Sequence, residues 1–349
     1  MTESRLDPDD LRARLEALLQ RAHDARSVRI EGLRLLTGGA SRQTWSFDAV
    51  IEGASGETKT LPLVLRRDPR PGTGSMGREI EFKLLKAARD EGVPAPAVHL
   101  MGDESLGAPS FMMERIEGET IARRILRDEQ YAEARQTMAA QLGAILASIH
   151  RVPIEKHGLD ALPAPPPDRS PAEGEVDKFE QVYRAITPEP HPAFELAFRW
   201  LRAHLPSAKG GRALVHGDYR LGNIIVGPEG VRAVLDWELS HIGDPMEDLG
   251  WVCVRSWRFG NDDLPVAGAG TREQFWRAYE AAGGATVDPE RVRFWEAFGN
   301  LRWGVICIGQ AKAYLDNPGK GAAGPQLELG SIGRRIAETE WELLEIMGR

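Results

Sequence analysis

The chain has 349 residues, 42 % of them hydrophobic and 28 % charged, with a net charge of -8. That is ample for a buried core in one large or two ordinary domains, and the acidic balance argues against a nucleic-acid surface as the main partner. No apolar run approaches the length of a membrane span and the polar, acidic start MTESRLDPDD is unlike a secretory signal, so a cytoplasmic protein with no membrane contact is expected.

Asp7-Pro8 followed by DDLRARLEALLQRA reads as a capped amphipathic helix with Leu11, Leu15, Leu18 and Leu19 on one face. Alternating stretches at 27–36 and 44–51, a turn at 53–56 and a further stretch at 61–65 read as strands. A helical pattern over 76–91 is stopped by Gly92, Pro94 and Pro96, and 111–114 is another short apolar strand. Beyond Gly118 the pattern turns helical. A long helix is expected over 129–152, a Pro-rich exposed loop over 162–172, and helices over 271–282, Pro289–Leu315 and 326–347. The expected boundary therefore divides 1–117, mostly strands with a leading helix, from a mostly helical 118–349. Cys253 and Cys307, each among apolar neighbours, are expected as buried thiols rather than a disulfide. Seven of the nine tryptophans lie at Trp237 or later; Trp295 and Trp303, eight apart with Gly299 between, fit one face of a helical core.

Two acidic signatures carry the chemistry. HGDYRLGN (216–223) follows the apolar stretch ALV, and VLDWE with Asp236 comes soon after. Asp218 and Asn223 are five positions apart. Mg²⁺ takes hard oxygen ligands, which Asn223 and Asp236 supply, and Asp218 offers a free carboxylate able to orient an alcohol and accept its proton. Any one of these aspartates, Asp236 above all, could instead cap a turn; the whole string is harder to explain so.

The Asp–Asn spacing resembles the catalytic loop of protein kinases, in which the Asp receives the hydroxyl proton and the Asn holds Mg²⁺. Residues from about Leu33 to about Trp257 are most similar to the aminoglycoside phosphotransferase-like family, which includes choline-kinase-like enzymes. The resemblance implies an α+β, protein-kinase-like two-lobed fold with a small strand-rich N-lobe and a larger, mostly helical C-lobe. It implies Mg²⁺ as cofactor, ATP or GTP as phosphate donor and a small-molecule hydroxyl as acceptor. Asp218 and Arg220 would be catalytic, and Asn223 and Asp236 metal ligands. Nucleotide contacts would come from Gly39 and Ser41 in LTGGASRQTWSF, from Val64 and Arg66 in LVLR, and from Met113, Glu114 and Ile116 in FMMERIEG. Arg66 stands where the family has Lys; it keeps the charge but is longer and planar. Glu79 would be the helix glutamate paired with it, with Glu81 as rival. Arg67 faces the other way. His216 is implied to hold the loop by hydrogen bonds, not to act as a base. In ELSHIGDPMEDLGW, Asp248 would orient the loop and Asp244 would be structural.

The D-W-E string, in place of D-F-G, resembles the small-molecule kinase branch; the LRR strand end, the WELSHIGDP string and the Trp-rich C-terminal helices resemble the branch fused in some organisms to acyl-CoA dehydrogenases, so a hydroxyacyl-CoA or similar hydroxy acid derivative is a candidate acceptor. The alternatives are an aminoglycoside-modifying kinase, a nucleotide-binding pseudokinase suggested by Arg66, and, last, a metal hydrolase on Asp218, Asp236 and Asp244, which lacks a histidine pair at metal spacing.

Overall fold

The structure, a computed structural model, describes residues 7–36, 43–68, 76–166, 168–187, 189–207, 212–316 and 330–348. The chain divides into two compact units. The first comprises Met1–Gly118 together with Pro153–Ala161 and Arg232–Leu239; the second holds Glu119–Val152, Leu162–Val231 and Ser240–Arg349. A single boundary near residue 118 therefore does not describe the division, because two later segments return to the first unit. Lys156 Nζ and His157 Nε2 both bond the Glu91 carboxylate, at 2.5 and 2.7 Å, and the Val234 N–H donates to the Pro94 carbonyl at 2.8 Å.

The first unit opens with α1 (Pro8–His23) and continues through β1 (Ser27–Leu35), β2 (Gln43–Glu52), β3 (Thr58–Arg67), α2 (Arg78–Asp90), β4 (Val98–Met101) and β5 (Ser110–Glu114). The five strands form one antiparallel sheet in the order β1-β2-β3-β5-β4. Leu11, Leu15, Leu18 and Leu19 of α1 bury against Phe47, Leu63, Leu65 and Met112 on one sheet face. Full burial of each leucine contributes about 1.5–3 kcal/mol before ordering costs. Strand alternation then turns Val64 and Arg66 to the opposite face.

The second unit contains α3 (Ala122–Arg127), α4 (Ala132–His150), α5 (Pro171–Ile186), α6 (Pro192–Ala203), β6 (Ala213–Val215), β7 (Ile224–Gly227), the start of β8 (Gly230–Val234), β9 (His241–Gly243), α7 (Met246–Trp251), α8 (Arg272–Ala281), α9 (Pro289–Leu315) and α10 (Arg335–Met347). Asp288 caps α9 by accepting from Glu290 N and Arg291 N, with Pro289 in the first turn, where its missing N–H costs nothing. α9 is the central helix: α5, α6, α7 and α10 all pack on it, while α8 packs on α4. Gly250 lets α7 approach closely, since a Cβ there would lie 2.6 Å from the Glu296 nitrogen of α9. The Pro-rich stretch expected as a loop over 162–172 ends earlier, because Ser170 caps α5 through the Glu173 N–H and Pro171 begins it. The helix expected over 326–347 is described as Arg335–Met347. Cys253 and Cys307 are both free and buried.

Candidate functional site

In the second unit, β6 delivers the chain to a loop whose conformation is set by one buried carboxylate. Asp248 of α7 accepts from the His216 N–H at 2.7 Å and the Gly217 N–H at 2.9 Å, and its Oδ2 also meets His150 Nε2 at 3.1 Å. Two successive amides point at one acceptor because Gly217 adopts φ +79°, a left-handed conformation that disfavours a side chain. His150 Nδ1 lies 2.8 Å from the Tyr279 hydroxyl, so a neutral His150 donates to Asp248 and accepts from Tyr279. Burial pushes the Asp248 carboxyl up, but the hydrogen bonds from His150 and the His216 amide, with the electrostatic attraction of the two imidazoles, outweigh it and hold it below the ordinary carboxylate range. His216 is buried and structural: its Nδ1 accepts from the Asp218 N–H at 3.2 Å and its carbonyl from the Ser240 hydroxyl at 3.2 Å.

The loop presents Asp218 with three N–H donors on its carboxylate. Arg220 Nε and Trp251 Nε1 donate to Oδ1, each at 2.9 Å, and Asn223 Nδ2 donates to Oδ2 at 2.6 Å. Asn223 Nδ2 also reaches the Asp218 carbonyl at 2.9 Å, which fixes the amide orientation and leaves Oδ1 as the remaining acceptor. The Arg220 guanidinium lies 4.8 Å over the Trp257 ring, which packs on Trp303. Arg302 donates to the Gly217 carbonyl at 3.0 Å and to Glu247 at 3.1 Å, and stacks 4.7 Å from Trp251. Asp218, Arg220 and Asn223 are thus brought together. Sequence reasoning missed Trp251, Arg302 and His150. Only Trp251 left a signal, as the last residue of the GDPMEDLGW string. Asp244 is a buried anchor, accepting from Trp295 Nε1 at 2.7 Å, Arg291 Nε at 2.5 Å and the Met246 N–H at 3.0 Å. Trp295 is core, as its helical spacing implied.

In the first unit a second polar group forms around Arg66, whose side chain is largely buried. Its Nε lies 3.3 Å from Glu81, and its Nη2 lies 3.3 Å from Asp236 and 3.9 Å from Glu238. Burial opposes the Arg66 charge, yet Glu81, Asp236 and Glu238 together raise its pKa above the ordinary value. The glutamate paired with Arg66 is therefore Glu81 and not Glu79. Two helical positions rotate a side chain by about 200°, so only one of the two can face the strand, and Glu79 is exposed. Glu81, fully buried, also holds Arg78, which reaches Asp68 at 3.2 Å. Arg67 points the other way into structure, donating to the Leu106 carbonyl at 2.9 Å and to Gln43 at 2.8 Å. Asp236 has φ +63°, unusual outside glycine and tolerated by Asp. Such a residue persists only where its surroundings enforce it.

Val64 is paired with Met113 across β3 and β5, and both are nearly buried. The Glu114 N–H donates to the Ala97 carbonyl at 2.7 Å. The return bond of that pair is diverted: the Ala97 N–H donates to the Glu114 carboxylate at 3.1 Å, which releases the Glu114 carbonyl from the ladder. Gly39 and Ser41 lie outside the described residues. Among the described residues no group of three or more His, Cys, Asp or Glu is arranged to hold a metal, and no helix is long and apolar enough to cross a membrane.

A strand-rich unit with a buried Arg–Glu pair, and a helical unit with an Asp–Arg–Asn loop, are the parts of a protein-kinase-like phosphotransferase fold. A putative aminoglycoside phosphotransferase from Ralstonia eutropha JMP134 is 25 % identical, with a TM-score of 0.70 over 98 % of this chain and 99 % of its own. A choline/ethanolamine kinase family protein from Mesorhizobium loti, 21 % identical over 97 % of this chain and 94 % of its own, has a TM-score of 0.60. Spectinomycin phosphotransferase, solved with ADP and spectinomycin, shares the fold at 14 % identity over 95 % of this chain and 98 % of its own, with a TM-score of 0.61. The model of the phosphotransferase enzyme family matches residues 32–295, and the chain belongs to that family. Mouse acyl-CoA dehydrogenase family member 10 is 31 % identical over 301 residues, covering 80 % of this chain but 27 % of its own length. The chain spans about a third or less of the curated relatives it matches, 27 % and 35 % for the first two.

Proposed function

We propose that the chain is a Mg²⁺- and nucleotide-dependent kinase that moves the γ-phosphoryl group of ATP or GTP onto the hydroxyl of a small molecule of the hydroxyacyl-CoA type. The observation that carries this reading is the Asp218 carboxylate, fixed by donors from Arg220, Asn223 and Trp251. An alcohol donating to that carboxylate has its oxygen directed at the γ-phosphorus. As the new P–O bond forms, the bond from phosphorus to the bridging oxygen breaks, the nucleoside diphosphate leaves with the electron pair, and the proton passes late to Asp218. Arg220, held beside Asp218 and over Trp257, neutralises charge that builds on the transferring group.

The residue types fit Mg²⁺. Asn223 keeps its Oδ1 for a cation because its nitrogen is engaged by Asp218, and Asp236 adds a carboxylate. The bound ion would neutralise phosphate oxygens. Val64 and Met113 are proposed to contact the base, with the released Glu114 carbonyl and the Ile116 N–H as its hydrogen-bonding partners. Arg66 is proposed to reach the phosphates, with Gly39 and Ser41 in the loop that covers them. The acyl-CoA part of the proposal rests on the likeness to acyl-CoA dehydrogenase family members and on the LRR, WELSHIGDP and Trp-rich segments. The test incubates the purified protein with Mg²⁺, ATP or GTP, and a pooled library of hydroxyacyl-CoAs, aminoglycosides, amino alcohols and sugars, read by mass spectrometry. A hydroxyacyl-CoA that gains one phosphate supports the reading; a phosphorylated aminoglycoside instead overturns the acceptor class. A second reading, a nucleotide-binding pseudokinase, is favoured by Arg66 in place of lysine. It predicts nucleotide binding with no phosphorylated product at all.

A further inference from the structure

The second unit holds a cavity of about 640 Å³ whose chemistry the transfer reaction does not use. Four arginines line it, Arg123, Arg255, Arg334 and Arg335, against two carboxylates, Asp262 and Glu338. In a chain with a net charge of -8 that local excess of guanidinium is unusual. The carboxylates do not neutralise it. Glu338 is shared by Arg334 and Arg335 at 3.4 and 2.9 Å, and Arg255 is divided between Asp262 at 2.8 Å and Glu342 at 3.5 Å. Among the described residues Arg123 has no carboxylate partner. Guanidinium groups offer paired N–H donors that match phosphate oxygens, so a phosphate-bearing ligand satisfies what the protein leaves open.

Two further features narrow the ligand. Trp341, an exposed large hydrophobic side chain at 59 % exposure, stands at the same cavity and offers a face for a nucleotide base. Asn300, 1 % exposed, has its Nδ2 fixed on the Glu296 carbonyl at 2.9 Å while its Oδ1 has no donor. A buried acceptor without a partner is costly, and an incoming N–H group would satisfy it. The wall continues to the catalytic loop: Ser256 lines the cavity, and the next residue, Trp257, carries Arg220, which bonds Asp218.

We infer that this cavity binds the phosphorylated nucleotide end of the acceptor, the arginines taking the phosphates, Trp341 the base and Asn300 an amide N–H of the pantetheine arm that runs toward Asp218. The inference deepens the proposed function and rests on its acyl-CoA reading. The test is calorimetric titration of the full chain with coenzyme A, which carries no acceptor hydroxyacyl group, in the presence of saturating Mg–ADP so that a donor site is already filled. Removing one phosphate-binding guanidinium weakens binding by about tenfold or more. The Arg123→Ala/Arg334→Ala/Arg335→Ala variant is thus expected to bind roughly a hundredfold or more weakly. The matching lysine variant should recover part of the loss, added salt should weaken the wild type, and pantetheine should bind feebly and equally to both proteins. Arg123→Ala alone breaks no described ion pair, and a melting temperature equal to that of the wild type separates its loss of affinity from any folding effect. Failure of the wild type to bind coenzyme A, or equal binding by the triple variant, overturns the site. If coenzyme A binds through these arginines but no hydroxyacyl-CoA is phosphorylated, the site stands and the acceptor reading falls. If a hydroxyacyl-CoA is phosphorylated with a KM that the triple variant leaves unchanged, the reverse holds.

Discussion

Replacing Asp248 by Asn tests how the catalytic loop is held. The carboxylate accepts three hydrogen bonds, from the His216 and Gly217 amides and from His150. His216 and His150 share Oδ2, whereas Gly217 uses Oδ1. An asparagine keeps two of the three by placing its oxygen at the Oδ2 position, and then turns its NH₂ toward the Gly217 N–H, donor against donor. Hydrogen bonds to charged groups are worth about 1.5–3 kcal/mol, and a stranded buried donor costs about 1–3 kcal/mol. The two figures describe one broken contact and overlap, so the net loss is about 2–4 kcal/mol. For a unit of this size that is a melting temperature lower by roughly 5–15 °C. The loop carries Asp218, so kcat should fall while the KM for nucleotide changes little. The pH dependence has a definite sign. The folded-state pKa of Asp248 is depressed, so its contribution is present above the unfolded carboxylate value, about 3.9, and is lost as pH falls through the lower folded value. The variant should therefore show a flatter acid limb of stability below about pH 4. Thermal melts followed by circular dichroism across the acid-to-neutral range, with steady-state kinetics at neutral pH, measure all three effects. A variant with wild-type melting temperature and an unchanged acid limb would refute the claim that Asp248 holds the loop.

Glu81→Gln should destabilise the first unit by about 3–5 kcal/mol, because Arg66 and Arg78 both lose a buried partner, while the exposed Glu79→Gln should stay within about 0.5 kcal/mol of wild type; equal chemical denaturation curves would contradict the pairing. Trp251→Phe keeps a ring beneath Arg302 but removes one donor from Asp218; kcat should drop about tenfold with nucleotide affinity intact, and an unchanged kcat would show that this donor is idle. Burial pushes both thiols, Cys253 and Cys307, up to about 12, so neither should react with a disulfide reagent at mildly alkaline pH until the protein is unfolded; rapid labelling of the native chain would show that the thiols are accessible.

Local signals were readable where the chemistry that ends an element lies next to it in the chain. The Asp288–Pro289 cap and the Thr271–Gln274 capping box fix the starts of α9 and α8 within a residue of expectation. The leucine spacing of α1 marks its buried face without error. Ser170-Pro171 is the same kind of start signal for α5, but it lies inside the stretch whose prolines read as a loop. Three-residue β6 and β9 had no readable pattern, because each exists through pairing with a distant partner. The Asp218–Asn223 loop was legible because its spacing is itself the constraint. The choice between Glu79 and Glu81 was not, since it depends on how α2 is rotated against β3. The Trp251 indole on Asp218 was equally hidden, because 33 positions separate donor and acceptor.

The most direct test of the account compares wild type with Asp218→Asn in paired measurements, Mg²⁺-dependent ATP and GTP affinity by calorimetry and phosphorylated product by mass spectrometry. Nucleotide affinity should stay within about threefold while turnover falls by about 10²–10⁴. Unchanged turnover in Asp218→Asn would remove that carboxylate from the reaction and with it the central claim.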